Sequence, residues 1–380
     1  MLHVALVLGT RPEAIKLAPL ILALRAEPRR FRTTVVLSGQ HADLVAPILA
    51  FFDIRADIDI NLMQPNQSLA SLTSRAVTEL HRVLGELEPD WVVVQGDTTT
   101  AMACALAAFY LKIKVAHLEA GLRTNRIDSP FPEEINRRFI SQIAALHWAP
   151  TAASARALRR EAMPLPHARI VVTGNTVIDA LLLGVARLRT APVPDADRDR
   201  IAAFLAADQR HRFVLVTGHR RENFGEPLRQ ICRTLARLAA ADQRALFLYP
   251  VHPNPNVRTT VDEMLGRVPN IVLTAPKNYP EFLQLLDLSH VIVTDSGGVQ
   301  EEAPALGKVV LVTRDTTERP EGLKTGLVKL VGHQPTRLLA AVRSALVASR
   351  RARRAPKPAF PYGDGAAAAR CVKSLLAKSP

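Results

Sequence analysis

The stretch VIVTDSGGVQEEAPALGK, residues 291–308, decides the fold. Val291 to Thr294 read as a short buried strand, Asp295 ends it, and Ser296–Gly297–Gly298 turns into a helix. A strand that feeds a glycine turn and then a helix is the repeating unit of a parallel sheet, because parallel strands need a crossover between them. The two glycines leave backbone N–H groups bare at a helix N-terminus, where a phosphate can approach closely. One turn further in, Glu302 is placed to accept from a ribose diol, as acids do in other nucleotide folds.

The same rhythm extends outward on both sides. Strands are predicted over Phe213–Val216, Leu246–Tyr249, Ile271–Leu273 and Val309–Val312, and in the first half over His3–Leu8, Thr33–Leu37, Trp91–Gln95, Lys114–Leu118 and Ile170–Val172. Helical periodicity fills the first-half intervals: Pro12–Arg25, His41–Phe52, Ser68–Leu87, Thr98–Tyr110, Glu133–Ala144 and Ser154–Glu161. Around Arg187–Arg200 the text (RLRTAPVPDADRDR) turns loose and polar, with two prolines, before the rhythm restarts. The proline-rich stretch Ala355–Pro361 sets off a last helix, Gly365–Lys378. The expected fold class is α/β, with two Rossmann-like domains whose parallel sheets face one another across a cleft. Their bounds are 1–170 and 171–360. Ligands of open α/β sheets gather at the carboxyl ends of the strands.

Composition limits the classes of function. The 380 residues are too many for one ordinary core and fit two domains. Hydrophobic residues make up 48% and charged ones 22%, so a folded globular protein is expected rather than disorder. Three scattered cysteines, Cys104, Cys232 and Cys371, form neither a disulfide framework nor a zinc motif, which fits a reducing cytoplasm. The apolar run Leu2–Leu8 is too short to span a bilayer and lacks the flanks of a leader, so it reads as a first strand and no membrane insertion is expected. The net charge of +14, from 49 Lys plus Arg against 35 Asp plus Glu, favours an anionic partner. Nucleic acid is not expected: aromatics are 5% of the chain and the dense basic run Arg350–Arg354 contains none. A phosphorylated small molecule fits better.

The other strand ends carry chemistry too. Gly9–Thr10–Arg11 opens a helix on which Arg11 and Lys16 can meet a phosphate, or stand exposed in its first turns. No GxGxxG or GxxxxGK[ST] occurs, so no dinucleotide cofactor is expected. Three acids, Asp97, Glu119 and Glu133, emerge at one edge of the first sheet. Gathered carboxylates suit acid–base work, because burial and mutual repulsion raise their proton affinity. The competing reading pairs each with Arg123, Arg137 or Arg138. His117 and Glu119 have HxE spacing but no third ligand, so no metal is expected. In the second half, Gly218–His219–Arg220–Arg221 suits a pyrophosphate or a basic surface turn.

Together these segments resemble the non-hydrolysing UDP-N-acetylglucosamine 2-epimerases. The matching blocks are LGTRPEAIKLAPL, GDTTTA, HLEAGLRT, SPFPEEINR, TGNTVIDAL, TGHRRENFGEP, YPVHPNP, TDSGGVQEEAPALGK and RDTTERPEG, in the family's order from residue 8 to 322. The resemblance implies two glycosyltransferase-B-like domains, with a last helix within 363–380 packed back on the first. It implies a cytoplasmic homodimer that interconverts UDP-GlcNAc and UDP-ManNAc for surface polysaccharides, with no cofactor. It puts catalytic roles on Asp97, Glu119, Glu133 and His219. Substrate binding falls on Arg11, Lys16, Arg137, Lys277, Phe282, Ser296, Gly297, Gly298, Glu302 and Arg319. The sequence departs from the family's pattern at Lys277, beside the uracil, where glutamine is frequent. It departs also at Asp43 and Asn66, near Gln40–His41, in a loop associated with binding of a second UDP-GlcNAc, so activation by that molecule is left open.

The family's route expels UDP first, removes the C2 proton to give 2-acetamidoglucal, and adds UDP back after protonation on the other face. Rival readings are an epimerase of a related modified UDP-sugar, a hydrolysing epimerase, a glycosyltransferase of the same architecture, and a UDP-sugar-binding regulator without chemistry. The three acids argue against the last two.

Overall fold

The structure, a computed structural model, describes residues 1–39, 42–63, 67–128, 130–161, 168–218, 220, 223–352 and 355–377. Gln40, His41, Asn66 and His219 lie outside the described residues. The chain forms two compact units: Met1–Leu182 with the described residues from Tyr362 on, and Leu183–Pro361. The division falls at Leu182 rather than at the expected 170.

The first unit alternates strand and helix: β1 (Leu2–Leu8), α1 (Arg11–Arg25), β2 (Phe31–Leu37), α2 (Ala42–Phe51), β3 (Ile58–Asp59), α3 (Leu69–Leu87), β4 (Trp91–Gln95), α4 (Thr99–Tyr110), β5 (Lys114–Leu118), α5 (Glu133–Ile143), β6 (Leu146–Ala149), α6 (Ala152–Arg160), β7 (Arg169–Val172) and α7 (Thr176–Thr190). The strands form one parallel sheet in the order β3-β2-β1-β4-β5-β6-β7. Val4 to Leu8 are fully buried, as a strand covered on both faces must be, which is why the run is continuously apolar. Helix α3 starts on Ser68, whose hydroxyl accepts from Ser71 N, and buries Leu72, Ala76, Leu80, Val83 and Leu84 on one stripe. Its neighbour α4 is built of alanines and other small residues, so it can lie buried between α3 and α5.

The second unit follows the same plan: α8 (Ala196–Ala207), β8 (Arg212–Thr217), α9 (Glu226–Ala241), β9 (Ala245–Pro250), α10 (Pro255–Leu265), β10 (Ile271–Thr274), α11 (Tyr279–Leu288), β11 (Val291–Thr294), α12 (Gly297–Ala305), β12 (Val309–Val312), α13 (Pro320–Leu323), β13 (Val328–Leu330) and α14 (Pro335–Arg351). Its parallel sheet runs β10-β9-β8-β11-β12-β13. In both sheets the order reverses beside the first strand, between β1 and β4 and between β8 and β11. These are the positions where open α/β sheets bind ligands.

The loose, polar stretch Arg187–Arg200 is largely helical. Helix α7 runs to Thr190, and α8 begins at Ala196 on Asp195, whose carboxylate accepts from Asp197 N at 3.0 Å. The basic residues of RLRT complete one helix end and the acids of DADRDR start the next, so polarity there marks helix termini. Past Tyr362 the chain returns to the first unit as α15 (Ala367–Leu376), which packs on α1. The main-chain N–H groups of Ala367 and Ala368 donate to the Asp179 carboxylate, and the Trp148 indole N–H donates to Ser374 Oγ at 2.7 Å. Among the described residues, no helix is long and apolar enough to cross a membrane.

Candidate active site

In the first unit, β4 leads into Gly96, whose positive φ of 70° makes the turn. Its N–H donates to Leu118 O at 3.0 Å, and its carbonyl accepts from His117 Nε2 at 2.7 Å. The peptide before Asp97 is therefore fixed on both sides. Burial, with His147 beside it, lowers the pKa of His117 to about 3, so the ring is neutral at any working pH. Thr98 then caps α4 through its hydroxyl, which accepts from Ala101 N at 3.0 Å.

Strand β5 leads into Glu119, a non-glycine residue at φ 65°, a conformation that costs free energy and gathers at functional sites. Its carboxylate is gripped from three elements. Lys16 from α1 and Gln95 from β4 both meet Oε2 at 2.5 Å, and the Asn175 amide before α7 donates to Oε1 at 2.9 Å. Asp97 is bound by the Arg137 guanidinium, and the Asn136 amide donates to its carbonyl at 2.9 Å. Burial raises the pKa of Asp97 and nearby Glu119 adds to this, while Arg137 and Lys16 oppose it. Glu133 stands at the start of α5 and four residues before Arg137, on the same helix face. Its Oε2 is buried without a hydrogen-bond partner.

The acids and arginines pair selectively. Arg137 holds Asp97, but Arg123 pairs with Glu161 at 2.6 Å and Arg138 with Glu134 at 2.9 Å. Glu134 also accepts from Thr124 N, and despite its burial these donors hold its carboxyl below the usual range. Arg11 is exposed on α1, whereas Lys16 is drawn in by Glu119. A residue without a part in the sequence reading, Glu13, is fully buried. It accepts from Gly9 N at 2.9 Å, Thr10 N at 2.7 Å and the Thr98 hydroxyl at 2.5 Å. The α1 turn thus meets its own carboxylate, which lessens its use to a phosphate. The signal for this lay in T-x-x-E, the spacing of a capping box.

In the second unit, β11 leads to the buried Asp295, whose Oδ2 accepts from Arg220 N at 2.9 Å and the Asn223 amide at 2.8 Å. Ser296 precedes α12 without a side-chain cap, and the first turn carries no acid. Arg319 is held by Glu301 at 2.7 Å. A Cβ at Gly297 would lie 3.7 Å from both Arg319 and Arg220, and one at Gly298 3.8 Å from Glu302 Oε2. Ser296, Gly297, Gly298, Glu302 and Arg319 therefore share one helix start, and Arg220 joins them. Phe282 is half-buried on α11. The Lys277 ammonium sits 2.7 Å from both Asp195 and Asp197 at the start of α8. Among the described residues, no group of three or more His, Cys, Asp or Glu side chains could hold a metal ion.

Residues 23–376 match the family described as UDP-N-acetylglucosamine 2-epimerase. The chain belongs to that family. The UDP-N-acetylglucosamine 2-epimerase of Salmonella typhimurium is 46% identical over 374 residues, 98% of each chain. Among solved structures, that of UDP-GlcNAc 2-epimerase from Neisseria meningitidis bound to UDP-GlcNAc matches with a TM-score of 0.85 and 41% identity, over 98% of this chain and 99% of that one. The Methanocaldococcus jannaschii UDP-GlcNAc 2-epimerase in complex with UDP-GlcNAc and UDP matches with a TM-score of 0.76 and 32% identity, over 98% and 99%. The expected isomerase family and its two parallel-sheet α/β domains both stand.

Proposed function

We propose that the protein epimerises UDP-N-acetylglucosamine reversibly at C2 to UDP-N-acetylmannosamine, by eliminating UDP and adding it back to 2-acetamidoglucal. The observation that carries this is the pairing at the β4 and β5 ends: Asp97, with raised proton affinity, beside Glu119, gripped by Lys16. Membership of the epimerase family supports the same reading.

The C2 hydrogen of such a sugar has no adjacent carbonyl to acidify it, so direct deprotonation is prohibitively slow. Breaking the C1–O bond first leaves oxocarbenium character at C1 and acidifies C2. A carboxylate takes the C2 proton, and the electron pair forms the C1=C2 bond of the glucal. Reprotonation of C2 on the opposite face and return of UDP to C1 complete the epimerisation. Asp97, Glu119 and Glu133 supply the proton acceptor and donor. Arg11, Lys16, His219, Arg319 and the α12 N-terminus stabilise the departing diphosphate by preorganised electrostatics. Arg137 keeps Asp97 oriented, Glu302 takes the ribose and Phe282 lines the base. The working enzyme is a cytoplasmic homodimer that feeds surface polysaccharide synthesis.

Turnover in D2O, followed by NMR, tests the route. Both epimers should acquire deuterium at C2 as UDP-ManNAc appears. Epimerisation with full retention of the original hydrogen would sink the elimination route, and an absence of UDP-ManNAc would sink the activity.

A further inference from the structure

The block TGNTVIDAL, residues 173–181, has no part in the mechanism above, yet it places Asn175 against its central carboxylate. We infer that Asn175 is a positioning residue, which fixes the rotation of the Glu119 carboxylate and favours its charged form. The inference rests on the acid–base role proposed for Glu119.

Asn175 is buried, and its amide has a defined orientation. Oδ1 accepts from Val177 N at 3.1 Å, the capping bond of α7, so the N–H side must face Glu119 Oε1 at 2.9 Å. The residue itself is held in place. Its main-chain N–H donates to Tyr362 O at 2.6 Å, and a Cβ on Gly174 would come within 2.9 Å of Gly363 Cα. The returning C-terminal segment thus presses on the turn that carries Asn175. Lys16 and Gln95 meet Oε2, so the amide at Oε1 pins the other end of the carboxylate. A carboxylate attached at both oxygens cannot swing about its last torsion, and an N–H donor to its charged form lowers its affinity for a proton. Among the described residues, the groups that face it include Lys16 on α1, Gln95 on β4, Asp97 in the turn after β4 and His117 at the end of β5, with Arg137 reaching Asp97.

A cap alone would explain an asparagine here, so the test must separate capping from positioning. Asn175→Asp keeps the oxygen that caps α7 and turns a second carboxylate toward Glu119. Asn175→Ser keeps a cap acceptor but is too short to reach Glu119, and it adds no charge. Both are compared with wild type in kcat, KM and the pH–rate profile, with circular dichroism to establish folding. The Asp variant should move the limb that reports this carboxylate up by roughly one pH unit, because a like charge favours its protonated form. The Ser variant should lose about tenfold in kcat, with KM within about twofold, as a misplaced catalytic group does. Wild-type kcat and an unshifted profile in either folded variant would overturn the inference. A Glu119→Gln variant made in parallel separates the failures: if it keeps the wild-type rate, the role of Glu119 is wrong, and Asn175 is not at fault.

Discussion

The turn after β4 and the turn after β11 occupy the same place in their sheets, each beside the first strand where the order reverses. They hold opposite chemistry. The first, Gly96–Asp97–Thr98, closes on itself: Thr98 caps α4, Arg137 binds Asp97, and buried Glu13 reaches in to accept from the Thr98 hydroxyl. The second, Asp295–Ser296–Gly297–Gly298, turns its acid inward to bind Arg220 N and Asn223, and leaves the helix start uncapped beneath two guanidinium groups. Both helix ends carry partial positive charge. The side chains decide whether that charge serves a carboxylate of the protein or an anion from outside. On the proposed function, two turns at the same place in two similar sheets would thus serve proton transfer in one case and phosphate binding in the other.

The contrast breaks first at the acids. Asp97→Asn, Glu119→Gln and Glu133→Gln keep shape and remove the ability to take up a proton. At least two of the three should lose roughly 10²-fold or more in kcat, the lower end of what general acid–base groups supply. UDP affinity, measured by calorimetry, should change little. Near-wild-type rates in all three folded variants would leave the acid turn with no chemistry. On the other turn, Glu302→Ala should weaken UDP binding by about 1.5–3 kcal/mol, the worth of a hydrogen bond to a charged group. An unchanged UDP affinity would mean that the ribose lies elsewhere.

The two turns also differ in what supports them. Behind Asp97 stands the His117 imidazole, with His147 next to it, whereas Ser296 N rests on the Thr294 hydroxyl, which in turn meets Thr217. Burial lowers the pKa of His117 to about 3 and that of His147 to about 4. Both rings are neutral in the fold, while an unfolded histidine takes up a proton below about pH 6.5. The stability they allow is thus present above that value and is lost as the pH falls toward their folded values. Each should cost about 1.4 kcal/mol per pH unit in that window. Urea unfolding at pH 7.5 and 5.5 should show the loss, and His147→Gln should flatten it. An equal slope in the variant would mean that other groups set the acid sensitivity.

Much of the fold was legible because its strands are buried on both faces. Trp91–Gln95, Lys114–Leu118, Val291–Thr294 and Val309–Val312 are apolar runs between turn residues, and each is a strand with those bounds. Strands β3, β6 and β13 escaped for a physical reason. The two residues of β3 and the three of β13 are too few to show a period, and β6 carries His147 and Trp148 amid its apolar text. Of the site, the glycine turn and the acids could be read from residue type and position in the chain. The partners could not: Gln95, Asn175 and Lys16 meet Glu119 from three separate elements, and only the packed sheet brings them together. Lys277 makes the same point: the resemblance put it beside the uracil, and its ion pairs with Asp195 and Asp197 at the start of α8 could not be read from the sequence.

The smallest expected effect gives the sharpest contrast, because it separates two uses of glycine. Gly121, just after Glu119, has φ 90°, and a Cβ there would come within 2.3 Å of Ser154 O. Gly121→Ala should therefore destabilise the fold, through a clash and a strained backbone. Gly297 has no such constraint: the nearest atoms to its Cβ would be those of two guanidinium groups from 3.7 Å outward, an ordinary contact, and alanine is the better helix former. Gly297→Ala should leave the melting temperature unchanged or slightly raised. On the proposed function, its methyl group would take the space through which a phosphate reaches the backbone N–H groups of α12. UDP affinity should then fall by up to about tenfold, about 1.4 kcal/mol. A variant that melts like wild type but binds UDP more weakly would show that this glycine is there for the ligand. If affinity is unchanged, the phosphate does not sit on this turn, and the contrast between the two turns loses its functional meaning.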